Sequence, residues 1–366
     1  MIITEIETFR AAVPLIKPFK TALRTVTTAE AIFVKITCDN GITGWGEAPP
    51  TVVITGDSLL SIESAIHQVI KPFLINKSLL NYELIFQGLK TALIANTSAK
   101  AAIDMALYDC LSQFCGLPLY QFLGGHKKEL ETDFTVSVNS PEEMGDDAVS
   151  YIQKGFNVLK VKVGKDDISK DLERIKEIRK RVGNTIKIRL DANQGWSAKE
   201  AITTIRKMED SDLRIELVEQ PVKADDLVGL KQVTDSVETL IMADESVFTP
   251  NQAFQVLKTR SADLINIKLM KAGGIYQAQI INQLAETCGV ECMVGSMIET
   301  RLGITAAAHF AASKQNITRF DFDAPLMLAK DIVEGGIHYK NRFITLPDCP
   351  GLGIKQVTIE GDVKVG

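Results

Sequence analysis

The sequence predicts an α/β protein: a barrel of the (β/α)8 type preceded by a smaller α+β domain. Three observations lead there. At 366 residues the chain is longer than the roughly 250–300 over which one hydrophobic core usually grows. From about residue 133, short apolar strands alternate with amphipathic helices, and the strand starts near 134, 158, 186, 215, 240, 264, 291 and 319 recur every ~24–29 residues. That period suits a strand, a loop and a three-turn helix. No G-x-G-x-x-G follows any of these strands, which argues against the doubly wound alternative.

The elements follow in chain order. The opening MIITEIETFRAAVPL alternates apolar and polar residues and reads as a strand. Residues 30–48 alternate on both sides of Asn40-Gly41, a strong hairpin signal. Segments 59–73 and 98–114 carry helical spacing, the second through Ile103, Leu107, Cys110, Leu111 and Phe114. Leu123-Gly124-Gly125 is a natural boundary, giving an α+β domain over 1–125 and a barrel over 126–326. After RFDFDA no comparable helix follows, and residues 327–366, with strand and turn character, are expected to return to the first domain.

Composition narrows the class. Hydrophobic residues make up 45% and charged residues 24%, ordinary for a globular chain and unlike a disordered one. The 41 basic and 46 acidic residues are interspersed and give a net charge of −5, with no basic footprint for nucleic acid. No apolar run approaches 18 residues and no basic n-region precedes one, so a cytoplasmic protein without membrane contact is expected, as a homo-oligomer of open subunit number. Six cysteines form no C-x-x-C pair and read as small buried hydrophobes, and four dispersed histidines give no zinc spacing. Any bound metal should therefore have oxygen ligands.

Strand alternation places the chemistry. In VLKVKVG, Lys160 and Lys162 share one face, and Leu159, Val161 and Val163 share the other. LINIKL repeats this with Lys268 opposite Ile265 and Ile267. If the apolar faces pack on helices, the ammonium groups point into the barrel, where they need counter-charges. Asp191 in RLDAN, Glu219 in LVEQP and Asp244 in MADES lie near strand ends at spacings of 28 and 25, which predicts equal heights on strands 3, 4 and 5. Three such carboxylates can converge on one cation, and all-oxygen ligation favours Mg2+, with Mn2+ as a substitute. Lys160 and Lys162 on strand 2 and Lys268 on strand 6 then bracket it. A carboxylate substrate would present opposite faces of its α-carbon to the two sides, with the cation stabilising an enediolate and lowering lysine pKa values toward the working range.

The motifs K-V-K (160–162), D-A-N (191–193), V-E-Q-P (218–221), A-D-E-S (243–246) and I-K-x-x-K-x-G-G (267–274), with G-W-G-E-A (44–48) and GLPLYQFLGG (116–125), resemble the muconate-lactonising subgroup of the enolase superfamily over essentially the whole chain. The resemblance implies a (β/α)7β modified TIM barrel, an α+β capping domain drawn from both termini, one Mg2+ per subunit, and Lys162 and Lys268 as the acid/base pair. It also implies that Lys162 serves the R centre and Lys268 the S centre.

Within that subgroup the barrel motifs do not separate muconate cycloisomerases, o-succinylbenzoate synthases, N-acylamino acid racemases and dipeptide epimerases. Strand 8, RFDFDAP, does more. Alternation sets Asp321 and Asp323 on one face, suited to a substrate ammonium, and two residues of extended chain span roughly 7 Å, the reach of a dipeptide zwitterion from the metal. This D-x-D resembles that of dipeptide epimerases, and the resemblance extends substrate contacts to Thr135, Lys160, Ser296 and Ile298. Arg24, in a loop of the cap, would favour an acidic second residue. The match is nearest to the L-Ala-D/L-Glu epimerases of murein peptide recycling, and N-acylamino acid racemase or o-succinylbenzoate synthase remains the alternative.

Overall fold

The computed structural model describes residues 1–358. Residues 359–366, assigned from sequence to the C-terminal completion of the cap, lie outside the described residues.

The cap begins with an antiparallel sheet of β1 (Ile3–Lys20), β2 (Thr25–Cys38) and β3 (Thr43–Ala48) in the order β1-β2-β3. Asn40-Gly41 forms the expected turn, with Gly41 at φ +83. The sheet packs on the helix Thr97–Phe114 at backbone contact. A Cβ on Gly46 would stand 1.9 Å from the Ala102 carbonyl oxygen, and one on Gly44 2.1 Å from that of Ala106. The helix Leu59–Ser64 continues through a π turn, Ala65–Ile70, into Lys71–Leu74. Pro72, just past the wide turn, has no N–H to give the carbonyl four residues back.

The eight barrel strands fall close to the expected positions. They are β5 (Phe134–Val136), β6 (Val158–Lys162), β7 (Lys187–Asp191), β8 (Ile215–Glu219), β9 (Leu240–Ala243), β10 (Leu264–Lys268), β11 (Cys292–Gly295) and β12 (Ile317–Phe320), in sequential order, preceded by the short β4 (Glu129–Glu131). Where neighbours pair they are parallel. The two sheet edges meet: the Asp133 amide donates to the Phe320 carbonyl at 3.3 Å, and the Phe322 amide to the Thr132 hydroxyl at 2.8 Å. Helices connect each strand to the next, but only a short 3-10 turn, Ala324–Met327, follows β12, which makes the barrel (β/α)7β.

The remaining strands are β13 (Val333–Gly335), β14 (His338–Lys340), β15 (Phe343–Thr345) and β16 (Ile354–Val357). The segment carrying them is shared. Ala329 donates to the Pro14 carbonyl and Gly351 bridges to Pro118 on the cap side, whereas β15 pairs with β4 beside the barrel.

Helix starts explain how cap and barrel are joined. Most barrel helices carry their own cap, such as Ser140, Ser197 with Glu200, and Thr249 with Gln252. Helix Ile275–Thr287 begins at Gly274 with no side-chain cap of its own. Asp104 from the first domain supplies it, accepting from the Ile275 and Tyr276 amides at 2.6 and 3.2 Å. Likewise Glu47 accepts from the Thr300 amide, the Thr300 hydroxyl and the Gly303 amide at 2.6–2.8 Å, at the start of Arg301–Ala312. Each acid supplies acceptor oxygens to amides that a helix start leaves without intrahelical partners.

One expectation fails locally. Cys38, Cys110 and Cys292 are buried, but Cys115, Cys288 and Cys349 are exposed. Cys115 and Cys288 stand at helix C-termini, where the chain turns away from the core. Phe114, in the same last turn as Cys115, is 49% exposed. Among the described residues no helix is long and apolar enough to cross a membrane.

The Gly46 contact gives a direct test of the cap. Gly46→Ala should destabilise the protein by about 3 kcal/mol, because helix backbone must yield. Gly41→Asn, with nothing within 4 Å and a turn that Asn tolerates, should change urea stability by less than about 1 kcal/mol.

Candidate active site

The polar side chains converge because the apolar faces of the same strands pack outward. Leu159, Val161 and Val163 join the main core, and Lys160 and Lys162 turn inward. Leu217, Met242, Leu264 and Met293 form a separate small cluster below the charged groups. In the eight-strand order, β6 and β10 are four strands apart, as are β8 and β12. Lys162 and Lys268 thus stand across the barrel from each other, on one diameter. Glu219 and the Asp321–Asp323 segment occupy the crossing diameter.

Arg24, Thr135, Lys160, Lys162, Lys268, Ser296, Ile298, Asp321 and Asp323 all line one pocket, whose empty volume, open mouth included, is about 560 Å3. Asp191, Glu219 and Asp244 lie behind the lysines and are fully buried. Asp191 and Glu219 are register partners, but Glu219 pairs with Met242, so Asp244 stands two residues further along its strand. Such an offset in hydrogen-bond register goes with the tilt and stagger of strands in a closed barrel, and Asn266, offset in the same way from Glu219, still reaches it.

These acids are engaged by ammonium groups. Lys160 Nζ lies 2.7 Å from Glu219, 2.7 Å from Asp321 and 3.2 Å from Asp191. Lys162 pairs with Asp191 at 2.6 Å and Lys268 with Asp244 at 2.7 Å. Among the described residues no three acidic, cysteine or histidine side chains stand in a metal-holding group. The donor set nevertheless suits a hard divalent ion: three buried carboxylates on adjacent strands. Glu219 Oε2 and Asp244 Oδ1 accept no aligned hydrogen bond, although Lys160 and Lys271 lie 2.7 and 2.6 Å away. Burial, with Asp191 and Asp244 nearby, pushes the Glu219 pKa up to about 7. Burial opposes the Lys268 ammonium, but Asp244 and Glu219 outweigh it and hold the group above the ordinary lysine range when no cation competes for those acids.

On the far diameter, Asp323 accepts the Thr135 amide at 2.6 Å, and the Ser296 hydroxyl reaches the Asp321 carbonyl at 3.4 Å. Both aspartates follow the end of β12, yet both face the pocket. Ile298 joins the cap's second apolar cluster, with Val13, Phe33 and Leu302. Arg24 sits in the short loop at the tip of the β1–β2 hairpin, where the Thr21 hydroxyl accepts the Leu23 and Arg24 amides at 3.1 and 3.2 Å. Burial lowers its guanidinium pKa, and among the described residues no carboxylate pairs with it.

Other contributors had escaped the sequence reading. Asn266 donates to Glu219 at 2.8 Å; its position two residues before Lys268, on the same face, was the available signal. Lys271 donates to the carbonyls of Asp244, Val247 and Asn266 as well as pairing with Asp244. Gln220, at φ +36, accepts the Asp244 and Ser246 amides at 2.8 and 3.1 Å. That left-handed conformation is costly for a non-glycine residue and is held by these bonds. Phe19 sets its ring 5.7 Å from the Lys162 ammonium.

Comparison with known proteins agrees with this architecture. Residues 3–124 match the mandelate racemase / muconate lactonizing enzyme N-terminal domain, and residues 143–357 match the enolase C-terminal domain-like family. The L-Ala-D/L-Glu epimerase of Bacillus subtilis strain 168 is 70% identical over 354 residues, 97% of each chain. The structure of a substrate-liganded complex of the Bacillus subtilis L-Ala-D/L-Glu epimerase superposes with a TM-score of 0.97 at 69% identity, covering 98% of this chain and 100% of the other. The dipeptide epimerase of Enterococcus faecalis V583, complexed with Mg and L-Leu-L-Tyr, gives 0.93 at 43% identity, covering 97% and 100%.

Asp323 gives this site a pH signature. Burial and the neighbouring Asp321 push its pKa up to about 7, against about 3.9 in an unfolded chain. The folded state therefore holds a proton that the unfolded state has lost, and the associated stability is full below about pH 4 and gone above about pH 7. Asp323→Asn lacks this loss. From pH 4 to 7, its unfolding free energy in substrate-free protein should gain roughly 2–4 kcal/mol relative to wild type.

Proposed function

The chain belongs to the mandelate racemase / muconate lactonizing enzyme family of the enolase superfamily, and from that membership we propose that it epimerises dipeptides at the second residue, with L-Ala-D-Glu and L-Ala-L-Glu as the interconverted pair. The carrying observation is the crossed arrangement of the pocket: two lysines on one diameter, with the buried acid cluster and the Asp321–Asp323 segment on the other.

In this reading, Asp191, Glu219 and Asp244 would hold one divalent cation per subunit, Mg2+ or Mn2+, which supplies positive charge where a carboxylate substrate becomes more negative on losing its α-proton. The chain's own groups do the rest. Asp321 and Asp323 take the dipeptide ammonium, orienting the second α-carbon between the two lysines. Lys162 and Lys268 then act on opposite faces, one removing the proton and the other returning one. Lys160 balances the acids between the two ends of the substrate. Arg24, without a carboxylate partner among the described residues, meets an acidic second side chain, with Thr135, Ser296 and Ile298 completing the wall.

The relatives support the substrate class. The high identity to an L-Ala-D/L-Glu epimerase favours an acidic second residue, and the Mg-containing dipeptide complex of the Enterococcus relative favours a cation-dependent dipeptide reaction. An N-acylamino acid racemase or o-succinylbenzoate synthase would have no use for the paired aspartates as an ammonium site.

Stereoisomer analysis by chromatography tests this directly. With Mg2+, L-Ala-D-Glu should convert to L-Ala-L-Glu, a neutral dipeptide should react more slowly, and N-acetyl-L-Ala-D-Glu should lose at least about tenfold in kcat/KM with its ammonium. Excess chelator should abolish turnover and added Mg2+ restore it. Preference for the N-acetylated compound, or full activity in chelator, overturns the reading.

A further inference from the structure

The two lysines are held by separate sets of contacts, and those on the Lys162 side centre on residues the reaction does not use. Asp171, fully buried in the helix Ile168–Val182, accepts the Gly164 amide at 2.9 Å and the Trp196 indole N–H at 3.2 Å on one oxygen. Its other oxygen accepts Arg174 Nη1 at 3.0 Å. Arg174 in turn donates through Nε to the Asn139 carbonyl at 2.9 Å and pairs with Asp166. One buried pair therefore ties together the turns after β5, β6 and β7. Gly164 lies two residues after Lys162, and Trp196 five after Asp191.

These turns have little freedom. A Cβ on Gly195 would stand 2.3 Å from the Gly164 carbonyl oxygen, so bare backbones touch, and the Val163 amide donates to the Asp191 carbonyl at 3.0 Å. The 2.6 Å contact of Lys162 with Asp191 thus depends on how the two turns are held. The cap joins the same turn, because Lys20 donates to Asn139 Oδ1 at 2.7 Å. Lys268 is served differently. Lys271 ties the Asp244–Val247 turn to Asn266 on the Lys268 strand, and among the described residues shares no hydrogen bond with Asp171 or Arg174.

We infer that Asp171, with Arg174, is a positioning pair for the Lys162 half of the site, setting that lysine against the substrate without touching it. A uniformly structural role would weaken both halves together. Displacement of one base by a fraction of an ångström instead slows the proton transfer made by that base, since rate falls steeply with misplacement. The inference rests on the two-lysine reading above.

The test is deuterium uptake at the second α-carbon of each stereoisomer in D2O with saturating Mg2+. The isomer still exchanged by Lys268→Ala defines the one Lys162 serves. In Asp171→Ala, uptake into that isomer should fall roughly tenfold or more, and uptake into the other by less than about threefold. Asp171→Asn, which keeps an acceptor for Gly164 and Trp196, should recover part of the loss. Should Asp171→Ala fail to fold, Trp196→Phe, which removes the indole donor with part of the ring but leaves Asp171 its Gly164 and Arg174 contacts, should show the same bias at smaller size. Equal slowing of both isomers, or no slowing, in the folded variants overturns the positioning role. Wild type that exchanges neither isomer removes the two-lysine reading, and this inference with it.

Discussion

The Lys160 ammonium, gripped by Asp191 of β7, Glu219 of β8 and Asp321 just past β12, is the contact on which the rest of the barrel interior depends. It is 1% exposed, in a place where an unpaired charge would be prohibitive. Removing one partner of such a buried cluster costs about 3–5 kcal/mol, because the others are left uncompensated. Four lysines (160, 162, 268 and 271) and five carboxylates (191, 219, 244, 321 and 323) are buried in this interior, so the charge of each bears on the others even where the turns that position them are tied separately. The raised pKa values of Glu219 and Asp323, each about 7, express the same crowding of acids.

This interdependence explains the division of labour between the domains. The barrel supplies groups whose positions are fixed by strands and by each other, and the cap supplies groups that close the pocket. Arg24 and Phe19 reach it from the β1–β2 hairpin, and Ile298 joins the cap's apolar cluster from the barrel side. Glu47 and Asp104 hold the two domains together by capping barrel helices that start beside the site. Recognition at the mouth can therefore vary in the hairpin without disturbing the charged interior.

Much of this was legible in the sequence, for identifiable reasons. Strand alternation in VLKVKVG and LINIKL put Lys160, Lys162 and Lys268 inside before any contact was known, since period 2 needs only local sequence. The strand period located all eight barrel strands to within a few residues. What stayed hidden depends on partners remote in sequence. Asp104 caps a helix 171 residues away, and no local pattern announces it. The offset of Asp244 follows from barrel stagger, which sequence spacing does not encode. The Asp171–Arg174 pair reads locally as an ordinary i,i+3 ion pair on an amphipathic helix, and only folding brings three turns onto it. Cys115 and Cys288 were misjudged because helix ends break the periodicity that buries residues mid-helix, and Cys349 because it lies in the turn between β15 and β16.

The crossed placement of two lysines about one α-carbon is tested most directly by following deuterium uptake and inversion separately in Lys162→Ala and Lys268→Ala. Both should lose epimerisation, since a general acid or base contributes about 10²–10⁴-fold and both are needed for each turnover. Each should still wash deuterium, with retention, into a different stereoisomer: D-Glu for the variant that keeps Lys162, L-Glu for the one that keeps Lys268. The reverse pairing would exchange the two assignments and leave the mechanism intact. Unimpaired epimerisation by either variant, or uptake into the same stereoisomer by both, would contradict it.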